Sequence, residues 1–375
     1  MTNNITGVPV RTHIFEIDLI RAITVASVVA LHCLATSQFL LPDTKSLYLV
    51  NLIIHIIHYN REMFMFVTGL VLTYAYFGKA FSAKKFWLRR ALLILVPYLF
   101  WSVIYVKING PSLGAGDYLG TLGHDVLIGE ASYQLYYILL ALEFYLFFPF
   151  FLMFLKKVAN HPWTTLSVSL IVQLVFMYFD YSYIQTGVLA SSVFSQFIVP
   201  YQDRIFLTYQ FFFIFGAFTA IYMKQGYAFI KKWGWLSLPI LAVCLVLYSV
   251  YYYHVIALRG DIFYATSVIQ PSVVIYSIVV ILFFLWLAVN WAKNLKLNWL
   301  VKTISDTSFG IYFVHVFLLG LVIKYFLPIV WSPAPIALKM VLIVVVTFTL
   351  SVLLCYALLK IPFLAWTIGR GKKGG

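Results

Sequence analysis

The chain has 375 residues, of which 63% are hydrophobic and only 10% are charged, and its mean hydropathy is +0.95. A soluble domain carries about 25% charged residues, so this composition excludes a soluble globular protein and indicates a polytopic membrane protein. The net charge of +14 does not indicate nucleic-acid binding, because the basic residues are concentrated in loops on one side of the predicted bundle.

The hydropathy pattern predicts an all-α fold, a polytopic transmembrane helical bundle of about ten spans. The spans cover residues 14–36, 47–78, 91–108, 133–155, 163–181, 204–223, 235–256, 268–290, 305–327 and 336–360. The first span is too long and too charged for a cleaved signal peptide. Because the loops are short, we expect one transmembrane domain over residues 1–375 and no appended soluble domain.

The distribution of basic residues predicts which side of the membrane each loop faces. Most of the 26 lysines and arginines fall in loops on the same side as both termini. They are Arg11, Lys79, Lys84, Lys85, Arg89, Arg90, Lys156, Lys157, Lys224, Lys231, Lys232, Lys293, Lys296, Lys302, Lys360, Arg370, Lys372 and Lys373. The opposite side carries most acidic residues, including Asp117 in a longer loop from Lys107 to Ser132, and Asp261. By the positive-inside rule, both termini are expected in the cytoplasm.

The first span, EIDLIRAITVASVVALHC, carries Asp18, Arg21 and His32. Ionisable groups at membrane depth are costly and normally face the bundle interior, so they are candidates for a functional site. Arg21 and His32 are eleven residues apart, which on a helix places them on nearly the same face, about 16 Å apart along the axis. Asp18 lies on the same stripe and can pair with Arg21. One helix face therefore offers a cation near the cytoplasm and an imidazole near the outside.

The second span is longer than one membrane crossing requires, since the 32 residues from 47 to 78 would form a helix of about 48 Å against a hydrocarbon core of about 30 Å. Its outer half contains the polar group His55, His58, Asn60, Arg61 and Glu62. Arg61 and Glu62 are expected near the level of His32, which would create one site near the outer face. The alternative is a local Arg61–Glu62 pair, with His55 and His58 capping an interfacial helix.

The third and fourth spans begin with further candidates. Arg89 and Arg90 suit the phosphates of a cofactor or an anionic headgroup, and both can equally be topology anchors. The start of the fourth span, with Tyr133, Tyr136 and Tyr137, is either an interfacial aromatic belt or a platform for sugar rings.

The ninth span adds a histidine and a tyrosine at one-turn spacing, His315 and Tyr312. A lone histidine in an apolar helix is more often a hydrogen-bonded interior residue than a catalytic one. Ser305 and Asp306 at the start of this span have the pattern of a helix N-cap. Glu143, inside the fourth span, needs a partner and is either structural or part of a cavity wall.

The cysteines do not predict a disulfide framework or a metal site. Cys33, Cys244 and Cys355 are scattered through apolar spans. Cys33, beside His32, has the position of a possible thiol nucleophile, but packing as a small apolar side chain is the simpler interpretation.

Taken in order, these segments resemble the acyltransferase-3 family of bacterial membrane-bound O-acyltransferases. The similar segments are the first span with its Arg-x10-His spacing, then REMFMFVTG, FWLRRALLILVPYLFW, SYQLYYILLALEFYLFFP and SFGIYFVHVFLL, spread over about residues 14–320. Two places depart from the family pattern. Leu93 stands where a second arginine is usual, and Gln134, Leu135 and Tyr136 stand where His-Leu-Trp is usual.

The resemblance implies a multi-pass enzyme of the bacterial cell membrane. It would move an acyl group, acetyl by default and succinyl as an alternative, from cytoplasmic acyl-CoA to a hydroxyl of a cell-surface or lipid-linked glycan, without a metal. His32 would act as general base or carry the acyl group itself. The implied catalytic residues are His32, Arg61, Glu62, Tyr312 and His315, the donor-binding residues Asp18, Arg21, Arg89 and Arg90, and the acceptor-binding residues Tyr133, Tyr136 and Tyr137.

A second function class is compatible with the same residues. A secondary transporter or flippase for a glycan or lipid would use Asp18, Arg21 and His32 as a proton relay and gate. Against it, the charges are concentrated in the first two spans and do not recur in matching halves, as inverted repeats require. A passive partner in an envelope complex is a third interpretation. The partners expected for the acyltransferase are membrane lipids and a glycan acceptor, and no nucleic acid.

Overall fold

The computed structural model describes residues 14–187, 199–291, 298–329 and 334–370, and these residues form helices with no strand among them. The α-helices are α1 (Phe15–Thr36), α2 (Thr44–Ile57), α3 (Asn60–Tyr76), α4 (Ala83–Asn109), α5 (Ala115–Ile128), α6 (Tyr136–Val158), α7 (Pro162–Phe179), α8 (Gln210–Ile221), α9 (Met223–Trp233), α10 (Ser237–Arg259), α11 (Ile262–Ala265), α12 (Pro271–Trp291), α13 (Asn298–Leu321) and α14 (Ile336–Lys360). The predicted cytoplasmic residues Arg11, Lys293, Lys296, Lys372 and Lys373 lie outside the described residues.

Eight helical segments in the described ranges are long and apolar enough to cross a membrane. The prediction of a polytopic helical bundle is therefore confirmed. Two of the ten predicted spans have a different form. Residues 47–78 are divided into α2 and α3 by a break at His58 and Tyr59, and the sixth span is represented by the 12 residues of α8. At 1.5 Å per residue, α3 covers about 26 Å and α8 about 18 Å, both less than the hydrocarbon core of about 30 Å.

The two short helices α3 and α8 pack at backbone contact distance. A Cβ atom on Gly69 would lie 2.1 Å from the carbonyl oxygen of Phe213, and one on Gly216 would lie 1.9 Å from that of Phe66. Only glycine permits so close an approach. Because Phe66 and Phe212 are fully buried at this contact, the pair belongs to the protein interior and not to the lipid-facing surface.

The first helix connects the two main apolar cores of the bundle. Ile17 and Ile20, in its inner half, pack in a core that includes side chains of α3, α6, α8 and α12. Val25 and Val29, in its outer half, pack in a second core with α4, α13 and α14. α1 thus runs through the middle of the molecule and carries its polar residues to both ends.

Three local features differ from, or complete, the expectations from sequence. The loop that is predicted to be external contains a 14-residue helix, α5. The hydroxyl of Tyr98 donates a 2.7 Å hydrogen bond to the Val126 carbonyl in this helix. The N-cap prediction for Ser305 is wrong, because α13 already begins at Asn298. Glu143 has a structural partner, since its Oε2 accepts a 2.8 Å hydrogen bond from the amide of Phe206.

Candidate active site

His32 of α1 and His315 of α13 form a direct imidazole pair. Nδ1 of His32 lies 2.6 Å from Nε2 of His315, and the two rings are inclined by only 9°. Nδ1 of His315 lies 3.0 Å from the carbonyl oxygen of Ile311, one turn earlier in the same helix. A carbonyl oxygen can only accept a hydrogen bond, so Nδ1 of His315 carries a proton. In a neutral ring Nε2 is then an acceptor, and the proton between the rings belongs to Nδ1 of His32.

This order of hydrogen bonds fixes the tautomer of His32. With Nδ1 protonated and held by His315, Nε2 of His32 presents its lone pair, as a general base requires. Burial of two imidazoles side by side disfavours a charge on either ring. His315 is completely buried, whereas His32 keeps part of its surface accessible. His32 is therefore the member of the pair that a substrate can reach.

Tyrosines from the start of the fourth predicted span line the pair. The ring of Tyr133 meets His32 edge-on, with centroids 5.1 Å apart, and Tyr133 is 52% exposed. Tyr137 lies 6.0 Å from the ring of Tyr312. The hydroxyl of Tyr312 donates to the backbone carbonyl of Gln134. Tyr312 thus joins α13 to the connection before α6, and its hydroxyl is already engaged there.

Arg61 belongs to a second polar group beside the tyrosines. Its Nη1 donates to the hydroxyl of Tyr209 at 3.2 Å and lies 3.6 Å from Oδ2 of Asp203. The ring of Tyr136 is flanked by two guanidiniums, with the Cζ atoms of Arg61 and Arg204 at 5.5 and 5.6 Å from its centroid. Asp203 and Arg204 were not among the site residues predicted from the sequence. Their only sequence signal is two opposite charges at the border of an apolar span.

Glu62 follows Arg61 in α3 but does not pair with it. Its side chain is fully buried, and among the described residues neither carboxyl oxygen has a hydrogen-bond partner. The ion pair of Arg61 is made with Asp203 instead, and His55 stacks on Tyr248 with centroids 4.1 Å apart. The alternative of a local Arg61–Glu62 pair is therefore not realised, and no described contact lets Glu62 orient His32.

Charged residues also meet at the inner end of α1. Arg90 of α4 and Arg370 near the C-terminus both lie close enough to Arg21 to act on it electrostatically, and Asp18 acts on Arg21 as well. Oδ1 of Asp18 accepts a 2.7 Å hydrogen bond from the hydroxyl of Ser305. These three guanidiniums lie at one end of α1, which is called the mouth of this group below, and they suit the phosphate groups of an anionic ligand.

Arg370 is a member of this group that was not predicted from the sequence as a site residue. Nη2 of Arg370 lies 2.9 Å from Oδ1 of Asp306, and Nζ of Lys302 lies 2.7 Å from the other oxygen of that carboxylate. The indole of Trp101 donates to the carbonyl of Thr367 at 2.9 Å, which fixes the tail against α4. From sequence Arg370 is one basic residue in a short tail, and only the folded tail brings it to the mouth.

The two arginines that begin the third predicted span have different surroundings. The guanidinium of Arg90 lies over the rings of Phe86 and Tyr145, at 5.7 and 5.2 Å. Its Nε is buried and has no hydrogen-bond partner among the described residues. Arg89 is exposed, and in the described part of the chain it makes no ion pair. The structure thus brings Arg90 to the mouth, and the position of Arg89 suits a topology anchor.

The groups at His32 and at Arg21 both include residues of α1, and α1 lies within a segment that matches a known protein family. The family model described as "Acyltransferase domain" matches residues 14–360. The chain belongs to the acyltransferase-3 family. The resemblance seen in the sequence is thereby confirmed, and this acyltransferase-3 protein is a multi-pass membrane acyltransferase. No curated protein and no solved structure matches the chain.

The departures of this acyltransferase-3 protein from its family pattern have identifiable places in the structure. Gly369 packs against the backbone of Leu93 in α4, since a Cβ on this glycine would lie 2.9 Å from the Leu93 carbonyl oxygen. Arg370, the next residue, therefore lies near the position where the family usually has an arginine. Gln134 is 2% exposed and accepts a 2.6 Å hydrogen bond from Ser132 through Oε1. The side chain of Gln134 is thus fixed by Ser132, and its backbone carbonyl accepts the hydrogen bond of Tyr312.

Proposed function

We propose that this protein transfers an acyl group from acyl-CoA, bound at the cytoplasmic mouth, to a hydroxyl of an extracytoplasmic or lipid-linked glycan at the outer mouth of a bacterial plasma membrane. We expect acetyl as the acyl group, with succinyl as the alternative. The hydrogen-bond order from Ile311 through His315 to His32 carries this proposal, because it supports a base at Nε2 of His32. Membership of the acyltransferase-3 family supports the reaction class.

In the proposed step, Nε2 of His32 takes the proton of the acceptor hydroxyl while that oxygen forms a bond to the acyl carbon. The carbon–sulfur bond of the thioester breaks, and the proton passes from His32 to the departing sulfur. Nδ1–H of His32 stays bonded to His315 throughout, which stabilises the imidazolium that forms. An acyl-His32 intermediate would use the same Nε2 lone pair.

The inner group supports the binding of the donor. Arg21, Arg90 and Arg370 would hold the phosphates of acyl-CoA at the cytoplasmic mouth. Arg21 and His32 are about 16 Å apart along α1, a distance of the order of an extended pantetheine arm. The phosphates of the donor can thus stay at the cytoplasmic mouth while the pantetheine arm extends through the bundle and places the thioester at His32.

The outer group supports the binding of the acceptor. Tyr133 offers an exposed aromatic face beside His32, and sugar rings stack on such faces. Tyr136 is held between Arg61 and Arg204, whose guanidiniums can donate hydrogen bonds to acidic or neutral sugar groups. The acceptor that fits this mouth is a polar glycan and not a lipid chain.

The test compares His32→Ala with a matched histidine variant. His124 is exposed on α5, and its side chain contacts that of its neighbour Asp125, so His124→Ala is the control. Mass spectrometry of envelope glycans from cells with and without the gene would identify the product. We expect His124→Ala to restore acylation and His32→Ala to lower the rate about a hundredfold or more. Acetyl-CoA binding to purified His32→Ala should persist, and normal turnover by that variant would refute the assignment.

A further inference from the structure

A cavity of about 340 Å³ lies away from both mouths, where α7, α10 and α12 meet. Its walls include Tyr178, Tyr181, Tyr251, Tyr264, Arg259 and Ser272. None of these residues belongs to the groups at His32 or Arg21. Since α10 ends and α12 begins at the connection that contains Asp261, we expect the cavity to face the outside.

The cation at the rim of this cavity is held by aromatic stacking. The rings of Tyr181 and Tyr264 are stacked with centroids 4.2 Å apart, and Cζ of Arg259 lies 4.2 Å from the centroid of Tyr264. The hydroxyl of Tyr264 donates to the backbone carbonyl of Tyr181 at 3.0 Å. The three side chains therefore form one layered wall whose outermost layer is a guanidinium.

No carboxylate neutralises this guanidinium in the described part of the chain. Asp261, two residues after Arg259, uses Oδ1 to accept a 3.1 Å hydrogen bond from the amide of Tyr264 and so caps α11. The described ion pairs do not include Arg259, and no acidic residue lines the cavity. Since no described residue forms an ion pair with it, the guanidinium of Arg259 can bind a ligand anion bidentately.

Two side chains that line the cavity have buried hydroxyls. Tyr181 is 7% exposed, and its hydroxyl interacts with the side chains of Tyr251 and Tyr264. Oγ of Ser272 has no hydrogen-bond partner among the described residues. Ser272 is the second residue of the 21-residue helix α12, whose N-terminal amides carry a partial positive charge. A guanidinium, the hydroxyl of Ser272 and a helix N-terminus thus meet around one small space.

We propose that this cavity binds a phosphate ester of the outer leaflet, with the phosphate between Arg259 and the start of α12. A volume of about 340 Å³ is near the lower end of ligand pockets and is sufficient for a phosphate with one small polyol or sugar ring. The tyrosine rings would pack against that ring. The phosphate has two possible sources, the headgroup of an anionic phospholipid and the phosphate of a lipid-linked glycan.

Native mass spectrometry of the purified chain in detergent tests this proposal. The probes are phosphatidylglycerol, zwitterionic phosphatidylcholine and a polyprenyl phosphate. We expect Arg259→Gln to weaken phosphatidylglycerol binding about tenfold or more, and Ser272→Ala about two- to tenfold, as loss of a charged and of a neutral donor predicts. Stronger binding of polyprenyl phosphate than of phosphatidylglycerol would identify a glycan carrier as the source, and the reverse would identify bulk lipid.

Lys324→Gln is the matched control, because Lys324 is an exposed cation over a tyrosine ring, 5.0 Å from the centroid of Tyr325, outside the cavity. Equal losses for Arg259→Gln and Lys324→Gln would overturn the proposal, as would equal affinity of the wild-type chain for the two phospholipids. If Arg259→Gln does not fold, Ser272→Ala decides, and its unchanged affinity would also overturn the proposal.

Discussion

The clearest prediction concerns His315, which we expect to act through His32. Replacing it with phenylalanine keeps an aromatic ring in a completely buried position and removes the acceptor 2.6 Å from Nδ1 of His32. A buried N–H without an acceptor costs about 1–3 kcal/mol. His32 can avoid that cost by moving its proton to Nε2, which is the nitrogen that must carry the lone pair.

The size of the effect follows from this tautomer shift. A bias of about 1–3 kcal/mol against the useful tautomer lowers its population about 5- to 150-fold. We therefore expect kcat of His315→Phe to fall by that factor. KM for acyl-CoA should change little, because the three arginines lie at the other end of α1. Steady-state release of free CoA from the purified chain, with the identified acceptor, measures both constants.

A second variant separates the loss of the acceptor from general damage. The amide oxygen of His315→Gln can accept the Nδ1–H of His32, so this variant should retain more of kcat than His315→Phe does. Equal losses in two folded variants would refute the tautomer argument. So would a His315→Phe enzyme with the kcat of the wild-type chain.

Three further predictions address the donor mouth, the helix contact and the sidedness. Arg21→Lys keeps a charge but loses the planar guanidinium, and Arg370→Gln removes a charge, so each should weaken acetyl-CoA binding in calorimetry. The control Arg89→Gln should leave the affinity unchanged. Unchanged affinities for the first two variants would place the donor site elsewhere. Gly216→Ala should lower the free energy of unfolding by about 1–3 kcal/mol because its Cβ would meet the Phe66 carbonyl. Gly226→Ala, with open space around it, should not lower the free energy of unfolding, because alanine is the better helix former. In a chain without native cysteines, single cysteines at 117 and 261 should react with a membrane-impermeant thiol reagent on intact cells. Single cysteines at 85, 157 and 231 should react only after the membrane is opened. The opposite pattern would place His32 on the cytoplasmic side.

Features confined to one helix could be predicted from the sequence. The stripe of Asp18, Arg21 and His32 depends only on helical periodicity, and the structure places these residues at the two ends of α1 as that periodicity requires. The helical class follows in the same way from long apolar segments, because in lipid a backbone must satisfy its own hydrogen bonds.

Features that depend on a second helix could not be predicted. His315 was a candidate, but its contact with His32 joins residues that are 283 positions apart. The break between α2 and α3, at His58 and Tyr59, contains no proline or glycine that would predict it. Arg370 carries no local signal at all, since its position depends on how the tail packs on α4.

The hydrogen bond between Asp18 and Ser305 has a mechanical consequence when it is considered together with the pair of imidazoles. Both contacts join α1 to α13, one near each end, so the two helices are pinned twice along their common length. Sliding one helix past the other by a single residue would shift it about 1.5 Å and turn it about 100°, which would break both contacts at once. We therefore expect α1 and α13 to move as one rigid unit, so that an opening for the proposed acceptor would come from the elements around them.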